Sequence, residues 1–438
     1  MNIIATLTMT LLAGTSLAGP DILVSQITGA QSYGAINDYQ SFSFGDITCN
    51  IGDAPFTYVD STNQHPVFTS SIYRLRDGRF EQVGLGFVGH TFFPLQSNAC
   101  DLGCNPASPG MLGDGCSDTM GAGLAGSQAG LGPRSEVSAY SGDFPYPFTT
   151  INQSGNPVYK RVKAIVGDIS DISAMYFVET QYISNEEQTD AARNNNTSYR
   201  RLSFTPGSNT PQLSGDTFAG QAAIYAWQSI EPSVMITPVQ IPGDGLVHVA
   251  SNATDLGDGT WRYDYAVHNL NSERGISSFS IPIGLNRFVS DQSFHDITYL
   301  DDVDSDIDGT DWMLDNMGGY AGWTTGQHFD DNPLANAIRW GTTYSFSMVS
   351  PYAPTTKAAE LGMFDDDGLD AVVAQIVAPM SGPCRIDMNG DLVVNYFDIS
   401  TFINAFGLED LNTDFTGDGE LNFFDISQFL NEYVAGCP

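Results

Sequence analysis

The strongest constraint on the fold of this chain is an acidic twelve-residue segment that occurs twice near its C-terminal end. The first copy, loop 1, covers residues 387–398 (DMNGDLVVNYFD), and the second, loop 2, covers residues 414–425 (DFTGDGELNFFD). The similarity continues into ISTFIN at 399–404 and ISQFLN at 426–431. A duplication with polar oxygen-bearing residues at alternate positions predicts two curled loops of the same structure, each leading into a helix.

Each loop has side-chain oxygens at positions 1, 3, 5, 9 and 12, which is the spacing of calcium-binding loops. Calcium takes about six to eight oxygen ligands, and position 7 contributes its backbone carbonyl. The sequence therefore predicts two calcium ions, one in each loop. The predicted ligands are Asp387, Asn389, Asp391, Val393, Asn395 and Asp398 in loop 1 and Asp414, Thr416, Asp418, Glu420, Asn422 and Asp425 in loop 2.

The two loops differ at position 6, where glycine permits a sharp turn. Gly419 satisfies this requirement in loop 2, whereas Leu392 occupies the position in loop 1. We therefore expect loop 1 to be the weaker site. The alternative interpretation is a pair of acidic turns that hold no ion.

Apolar residues follow each loop at the spacing of one helix face. They occupy positions i, i+3, i+4 and i+7, as Ile399, Phe402, Ile403 and Phe406 and again as Ile426, Phe429, Leu430 and Tyr433. Two short helices with matching stripes are expected to pack about a pseudo-twofold axis. A module this small needs further bonds, and a disulfide between Cys384 and Cys437, which bracket the duplication, would supply one besides the ions.

These residues together resemble a dockerin over positions 384–438. The flanking cysteines and the final Gly436-Cys437-Pro438 are similar to those of the Gly-Cys-type dockerins of exported planctomycete proteins. The resemblance implies a small α-helical module that anchors an enzyme or binding protein to a cohesin-like partner or a cell-surface scaffold. The segment departs from cellulosomal dockerins at loop positions 10 and 11, which help to set partner choice, because it has Tyr396-Phe397 and Phe423-Phe424 there.

The charge balance and the first residues of the chain restrict its partners and its compartment. Lys and Arg number 16 against 51 Asp and Glu, and the resulting net charge of −35 argues against nucleic acid or an anionic membrane surface as a partner. Residues 1–18 have the features of a secretory signal peptide, with an apolar segment and a small-x-small cleavage site at Ser16–Ala18. No other stretch has the length of a membrane span. We therefore expect a secreted or cell-surface protein.

The cysteines fit such a compartment, where disulfides persist. Besides the pair that brackets the duplication, we expect two disulfides among Cys49, Cys100, Cys104 and Cys116, with the connectivity left open. A zinc site formed by three of these is the less favoured alternative. The glycine- and serine-rich stretch 98–133 is long for a loop, so we expect these disulfides to hold it.

The rest of the chain predicts mainly β structure, with one or two immunoglobulin-like β-sandwich domains before the helical module. We expect a disulfide-containing β domain over residues 19–232 and an immunoglobulin-like sandwich over 233–379. The clearest strand patterns cover 158–165, 174–183, 246–253, 261–267, 277–283, 343–349 and 372–377. The turn Leu256–Gly259 predicts a hairpin. The Asn-rich segment from Asn185 to Tyr199 is expected to be an exposed loop.

Several other residues are weaker candidates for metal binding or catalysis. The set Asp304, Asp306, Asp308 and Asp315 fits a further calcium loop, but Trp312 stands at position 9, so an acidic turn is favoured. A glycosidase needs two carboxyl groups about 5–10 Å apart. No spacing pairs any of Glu136, Glu179, Glu186 and Glu187.

The remaining candidates have a structural interpretation that is favoured over a functional one. Arg134 with Glu136 is expected to brace a loop, and His65 and His90 to be hydrogen-bonded structural histidines rather than metal ligands. The tryptophans are expected in the core rather than on sugar-stacking surfaces; they are Trp227, Trp261, Trp312, Trp323 and Trp340.

These patterns predict an exported calcium-binding protein whose dockerin-like module anchors non-catalytic β domains. Those domains would bind a glycan such as a polysaccharide or serve a structural role. The alternative is a polysaccharide-degrading glycoside hydrolase carried by the module. Enzymatic activity stays open, because the chain lacks the short motifs of serine hydrolases and zinc proteases, whereas glycosidases have no comparable motif.

Overall fold

A computed structural model describes residues 19–90, 93–284, 289–299, 307–380, 385–390 and 394–435. The predicted signal peptide lies outside these residues. Within them the chain is mainly β, as the sequence predicted, and neighbouring strands pair antiparallel. None of the helices in the described part of the chain is both long and apolar enough to span a membrane.

The strands fall into two regions. The first β region contains β1 Ile22–Ile36, β2 Tyr39–Asn50, β3 Phe56–Thr57, β4 Val67–Arg76, β5 Arg79–Leu85, β6 Val88–His90, β7 Met111–Leu112, β8 Ser117–Met120, β9 Leu131–Gly132, β10 Val162–Ile165, β11 Met175–Ile183, β12 Thr197–Thr205 and β13 Thr210–Phe218. The second β region contains β14 Met235–Gln240, β15 Leu246–Asp255, β16 Trp261–Asn269, β17 Ile276–Pro282, β18 Ser290–His295, β19 Met313–Asp315, β20 Tyr320–Thr324, β21 Thr342–Ser350, β22 Pro354–Met363 and β23 Ala371–Pro379.

Six α-helices of the described residues connect or follow these strands. They are α1 Ala122–Ala125, α2 Val166–Ile169, α3 Asp190–Asn194, α4 Tyr225–Ile230, α5 Tyr396–Gly407 and α6 Phe423–Ala435. The last two begin at position 10 of loops 1 and 2 and continue over the residues where the sequence predicted helices. They belong to the C-terminal module, by which we mean the described residues between 385 and 435.

Eleven strands of the first β region form one sheet with the main order β1-β2-β10-β5-β4-β11-β12-β13. The sheet curls so that β1 lies against β12 and β13, and hydrogen bonds that involve side chains join these strands. Ser198 Oγ donates to the Val24 carbonyl at 2.5 Å, and the Ile27 N–H donates to Thr217 Oγ1 at 3.0 Å. Apolar side chains, among them Phe42, Phe44, Ile72 and Val178, fill the enclosed space.

Two disulfides hold the irregular stretch before β9. They join Cys49 to Cys100 and Cys104 to Cys116. The prediction of two disulfides among these four cysteines is confirmed, which removes the zinc alternative. Cystines of this kind are typical of extracellular proteins.

The second β region consists of two five-stranded sheets, β14-β15-β16-β21-β18 and β19-β20-β17-β22-β23. Their apolar faces share one core, in which Tyr265, Phe279, Trp323 and Phe346 contact one another. This is a sandwich-like arrangement, as the alternating pattern predicted. The predicted hairpin also forms, because β15 and β16 pair in register from Val247–Asn269 to Asp255–Trp261.

The two β regions meet over a continuous buried contact. Trp227 of α4 packs between residues of both regions, with Phe80 and Phe177 on one side and Ala250 and Ala266 on the other. Both ends of the Gln82 amide form hydrogen bonds at the start of β21. The oxygen accepts from Thr343 N at 2.7 Å, and the nitrogen donates to the carbonyl of Gly341, just before the strand, at 3.2 Å. No sequence pattern predicted that the two regions would share a core.

Two local predictions are wrong. The strand predicted over 158–165 begins only at Val162, because Lys160 has φ +64° and is fully buried, with its ammonium donating to Gln128 O and Thr150 O at 2.7 and 2.5 Å. The segment from Asn185 to Tyr199 is not an exposed loop, since it contains α3 and buries Glu187 and Asn196. In both places polar side chains are buried against partners outside their own segment, such as Gln128 for Lys160 and Ile22 for Glu187.

Asp46 provides a test of the first core. Its side chain is fully buried beside Asp118 and accepts from Tyr182 OH at 3.0 Å, and burial raises the pKa of Asp46 to about 8. The folded state therefore holds a proton that the unfolded chain loses above about pH 4, so this group's contribution to stability is present below pH 4 and is lost as the pH rises toward 8.

We expect Asp46→Asn, a neutral isostere, to remove that loss. Between pH 5 and pH 8, the free energy of unfolding of the wild type should fall by on the order of 3 kcal/mol relative to the variant. Urea unfolding at the two pH values measures this difference. The exposed control Asp216→Asn should follow the wild type, and parallel curves for all three proteins would refute the assignment.

Candidate functional site

Loop 2 gathers three of its predicted calcium ligands around one point. Thr416 Oγ1 lies 2.8 Å from Asp425 Oδ1 and 3.3 Å from Asp414 Oδ1. On the next turn, Asn422 Nδ2 donates to the Glu420 carbonyl at 3.1 Å. Positions 1, 3 and 12 therefore converge, and positions 7 and 9 lie side by side.

The loop holds this form because its carboxylates accept from its own backbone. Asp414 accepts from Gly417 N at 2.7 Å and from Gly419 N at 2.8 Å. Both glycines have positive φ, +72° and +82°, which side chains rarely adopt. The requirement for glycine at position 6 is thus a backbone requirement in loop 2.

Loop 1 repeats these bonds wherever it is described. Its first carboxylate, Asp387, accepts from Gly390 N at 2.9 Å, and its last, Asp398, accepts from Asn389 N at 3.3 Å and Asn395 N at 2.8 Å. The last carboxylate of loop 2 accepts from the equivalent backbone groups. The predicted ligands Asp391 and Val393, together with Leu392, lie outside the described residues, so the unequal strength of the two loops stays a prediction.

The oxygen ligands that the loops offer fit calcium. Asp398 and Asp425 are fully buried, and the pKa of Asp425 is lowered to about 2, chiefly because the N–H groups of Asn422 and Thr416 donate to it. Within the described residues, no three His, Cys, Asp or Glu side chains are grouped to hold a metal ion. The loops instead offer a mixture of carboxylate, hydroxyl, amide and carbonyl oxygens, and hard cations such as calcium prefer oxygen ligands.

The helices that follow the loops pack through equivalent residues. The rings of Phe402 and Phe429, which are 27 residues apart, stack with centroids 3.9 Å apart, and Phe415 meets the edge of both. Ile386 completes the buried core. Ile403 and Leu430, predicted to be part of the inward stripes, are instead 62% and 46% exposed. Two helices without a third layer bury only one row of side chains between them.

The module also exposes large aromatic side chains. Tyr396 and Phe397 begin α5, Phe423 and Phe424 begin α6, and all four are at least 67% exposed. They occupy loop positions 10 and 11, so the duplication presents the same pair twice. The predicted Cys384–Cys437 disulfide lies outside the described residues.

The third acidic segment has a structural role where it is described. Asp308 Oδ1 accepts from Thr310 N at 3.0 Å and from Thr310 Oγ1 at 2.6 Å, which closes a turn. Trp312 is buried, and Asp315 is exposed on the short edge strand β19. Asp304 and Asp306 lie outside the described residues. The observed bonds fit the acidic turn that the sequence favoured.

A cavity of about 650 Å³ opens where the two β regions meet, and we call it the junction cleft. Arg134 and Glu136 line it from the first region, and Glu273, Arg339 and Trp340 line it from the second. The Arg134 guanidinium lies 4.0 Å from the centre of the Trp340 ring. This volume is in the range of small-molecule sites. Sequence reasoning missed Glu273 and Arg339, which have no local pattern.

The other candidate carboxylates are bonded to structural donors. Glu179 accepts from Tyr73 OH at 3.0 Å and Ala223 N at 2.6 Å, and Glu186 accepts from Thr57 N at 2.6 Å. Glu136 accepts from the Thr149 backbone, which confirms that it braces a loop. The structure thus gives each of these groups a partner that is part of the fold.

The two histidines come together, but as part of an aromatic cluster. Their rings lie 5.3 Å apart and contact Phe144, and the His90 ring stacks on Phe148 at 4.0 Å. Burial lowers the pKa of His90 to about 3. The two histidines are therefore packed into the fold as predicted. The predicted hydrogen bond is found for His65, whose Nδ1 lies 3.0 Å from the Pro66 carbonyl, whereas His90 Nδ1 has no hydrogen-bond partner among the described residues. Four of the five tryptophans are likewise buried; they are Trp227, Trp312, Trp323 and Trp340.

Comparisons with known proteins add little. No family model matches the chain, and no curated protein matches it. A solved structure of an exo-β-D-glucosaminidase aligns with 77% of this chain and with 25% of its own, at 10% identity and a TM-score of 0.15. A similarity of that size carries no argument about fold or function.

Proposed function

We propose that the C-terminal module is a calcium-dependent, dockerin-like anchor, and that the two β regions are its cargo. The main support is the repetition of loop geometry, in which the position-12 carboxylates of loops 1 and 2 accept from the backbone N–H groups of positions 3 and 9. Each loop would hold one calcium ion through the predicted ligands. The ions would fix the ends of α5 and α6 in place.

The partner would bind to the exposed aromatic pairs. Large exposed apolar patches on soluble proteins mark interaction sites, and Tyr396, Phe397, Phe423 and Phe424 form two such pairs related by the duplication. Aromatic residues are also enriched among those that dominate binding energy. A cohesin-like protein or cell-surface scaffold fits this surface, and the aromatic pairs set its specificity.

This proposal predicts that removing the four aromatic side chains abolishes partner capture while the fold persists. The full chain would be tested by calorimetric titration against a panel of cohesin modules in calcium. Replacing Tyr396, Phe397, Phe423 and Phe424 by Ser should weaken the best affinity by roughly 100-fold or more.

The matched controls are Ile172→Ser and Val373→Ser, which remove side chains that are 85% and 62% exposed on the β regions. Both controls should bind like the wild type. If no cohesin module binds the wild type, or if the aromatic variant binds equally well, the anchoring proposal fails.

Export is part of the same proposal. The two disulfides fit an extracellular protein. Gly19 would become the first residue after cleavage at Ala18, and its backbone N already donates to Asp53 Oδ1 at 2.6 Å. Cleavage would place a charged amine at that carboxylate, which favours the same arrangement.

The cargo is proposed to bind a glycan in the junction cleft. The cleft combines carboxylates and guanidinium groups, which bond to hydroxyls, with the aromatic residues Tyr299 and Trp340. A glycoside hydrolase is the alternative, supported by the presence of Glu136, Asp143 and Glu273 in the same cavity. A glycan array combined with a hydrolysis screen distinguishes these, because binding without product supports a binding protein and release of sugar supports the enzyme.

A further inference from the structure

Polar side chains are buried together at the edge of the first β region, near the starts of β1 and β12. Asn195 Nδ2 donates to Asp21 Oδ2 at 3.3 Å, and Asn196 Nδ2 donates to Glu187 Oε2 at 2.5 Å. Ile22 N, next to Asp21, donates to Glu187 Oε1 at 2.9 Å. These bonds hold four side chains in one group, the Asp21 cluster, formed by Asp21, Glu187, Asn195 and Asn196.

Three oxygens of this cluster have no hydrogen-bond partner among the described residues. They are Asp21 Oδ1, Asn195 Oδ1 and Asn196 Oδ1, and all three are inaccessible to solvent. Each belongs to a side chain that makes one of the hydrogen bonds of the cluster. Asp21 is 0% exposed and Asn196 is 1% exposed. A buried oxygen without a hydrogen-bond donor destabilises the fold, and three such oxygens together require an explanation.

The cluster also has more carboxyl groups than nearby cations. Asp21 and Glu187 are two buried carboxylates, and buried charges are normally paired or coordinate a metal ion. Arg193 is the nearby cation, but its Nη1 lies 3.6 Å from Asp190 Oδ1 and its guanidinium packs over the Tyr140 ring. A single guanidinium shared with Asp190 cannot pair with both carboxyl groups. In the absence of a cation, burial raises the pKa of Asp21 and raises the pKa of Glu187 to about 8, so Glu187 holds a proton near neutral pH.

We infer that the Asp21 cluster is a third cation site, separate from loops 1 and 2, and that it takes a calcium ion. The ligands would be the carboxylates of Asp21 and Glu187 and the side-chain carbonyl oxygens of Asn195 and Asn196. Two carboxylates with two amide oxygens form a hard, all-oxygen set that suits calcium. The ion would join the start of β1 to the start of β12 and so close the curled sheet where its ends meet.

The test uses the full chain with both loops disabled by Asp387→Ala and Asp414→Ala. Titration with calcium chloride should still show one bound equivalent. Adding Asp21→Asn, which keeps the shape and removes the charge, should weaken this binding by about 30-fold or more. The control Asp53→Asn neutralises a nearby carboxylate outside the cluster and should leave calcium affinity unchanged.

A second variant is expected to strengthen calcium binding rather than weaken it. Asn196→Asp adds a third carboxylate to the cluster, so it should tighten calcium binding by about tenfold and lower the unfolding temperature of the calcium-free protein. If the loop-disabled chain binds no calcium, the cluster holds water only and the inference fails. It also fails if calcium binds but neither Asp21→Asn nor Asn196→Asp changes the affinity.

Discussion

Chelation of calcium is expected to unfold the C-terminal module and leave the β regions folded. The buried core of the module consists of Ile386, Phe402, Phe415 and Phe429, which is too small to stabilise an independent fold. In such modules the free energy of metal binding is folding free energy. At calcium concentrations about 1,000 times the dissociation constant, each ion contributes about 4 kcal/mol.

Differential scanning calorimetry of the full chain measures this effect. In calcium the module should give its own transition, and in excess chelator that transition should disappear while the transition of the β regions persists. The double variant Asp387→Ala, Asp414→Ala should lack the module transition even in calcium. Asp387 in loop 1 and Asp414 in loop 2 accept the backbone hydrogen bonds that order each loop. A module transition that chelator does not move would contradict the assignment of both loops.

Loss of the Arg134 guanidinium is expected to be the most damaging single change at the junction of the two β regions. Its Nη1 donates to Thr69 Oγ1 at 2.7 Å, and its Nη2 donates to the Trp340 carbonyl at 2.9 Å. Arg134→Met keeps the length of the side chain but leaves these buried acceptors unpaired. The free energy of unfolding should fall by about 3–5 kcal/mol.

Urea unfolding compares Arg134→Met with a matched control, Arg201→Met. The Arg201 guanidinium also lies over a ring, 5.2 Å from the centre of Phe177, but on the first β region alone. Arg201→Met removes only the contact between a guanidinium and a ring, so it should lower the free energy of unfolding by about 1 kcal/mol or less. Gly341→Ala should also destabilise the protein, because Gly341 has φ +66° and a Cβ at that residue would lie 2.0 Å from Arg134 Nη2. Equal losses for Arg134→Met and Arg201→Met would show that Arg134 does not join the regions.

The features that the sequence predicted well are those that depend on neighbours in the chain. The hairpin of β15 and β16 follows from alternation around the turn Leu256–Gly259. The curled form of loop 2 depends on residues within twelve positions, and its carboxylates bond to its own backbone. The buried faces predicted for α5 and α6 were too wide. Periodicity shows which residues of a helix are apolar, but not how many neighbouring elements will pack against them. Ile403 and Leu430 are exposed for that reason.

The features that the sequence did not predict depend on residues that are distant in the chain. The cysteine pairing could not be predicted because it depends on how distant strands pair. In the sheet, Ser117 of β8 lies opposite Cys49 of β2. The burial of Asn196 depends on Glu187 and on the start of β1, and the junction cleft depends on two regions that share a core. Polar residues buried against distant partners look like loop residues when only their neighbours are considered.

The position of the junction cleft has a practical consequence for finding its occupant. Because its walls come from both β regions, a bound molecule contacts residues as far apart in the chain as Glu136 and Arg339 and links the two regions without a covalent bond. Such a molecule binds only the folded, joined state, so it raises the unfolding temperature with concentration. A mixed library of sugars and other small molecules can therefore be screened by melting the intact protein, with no assay of activity.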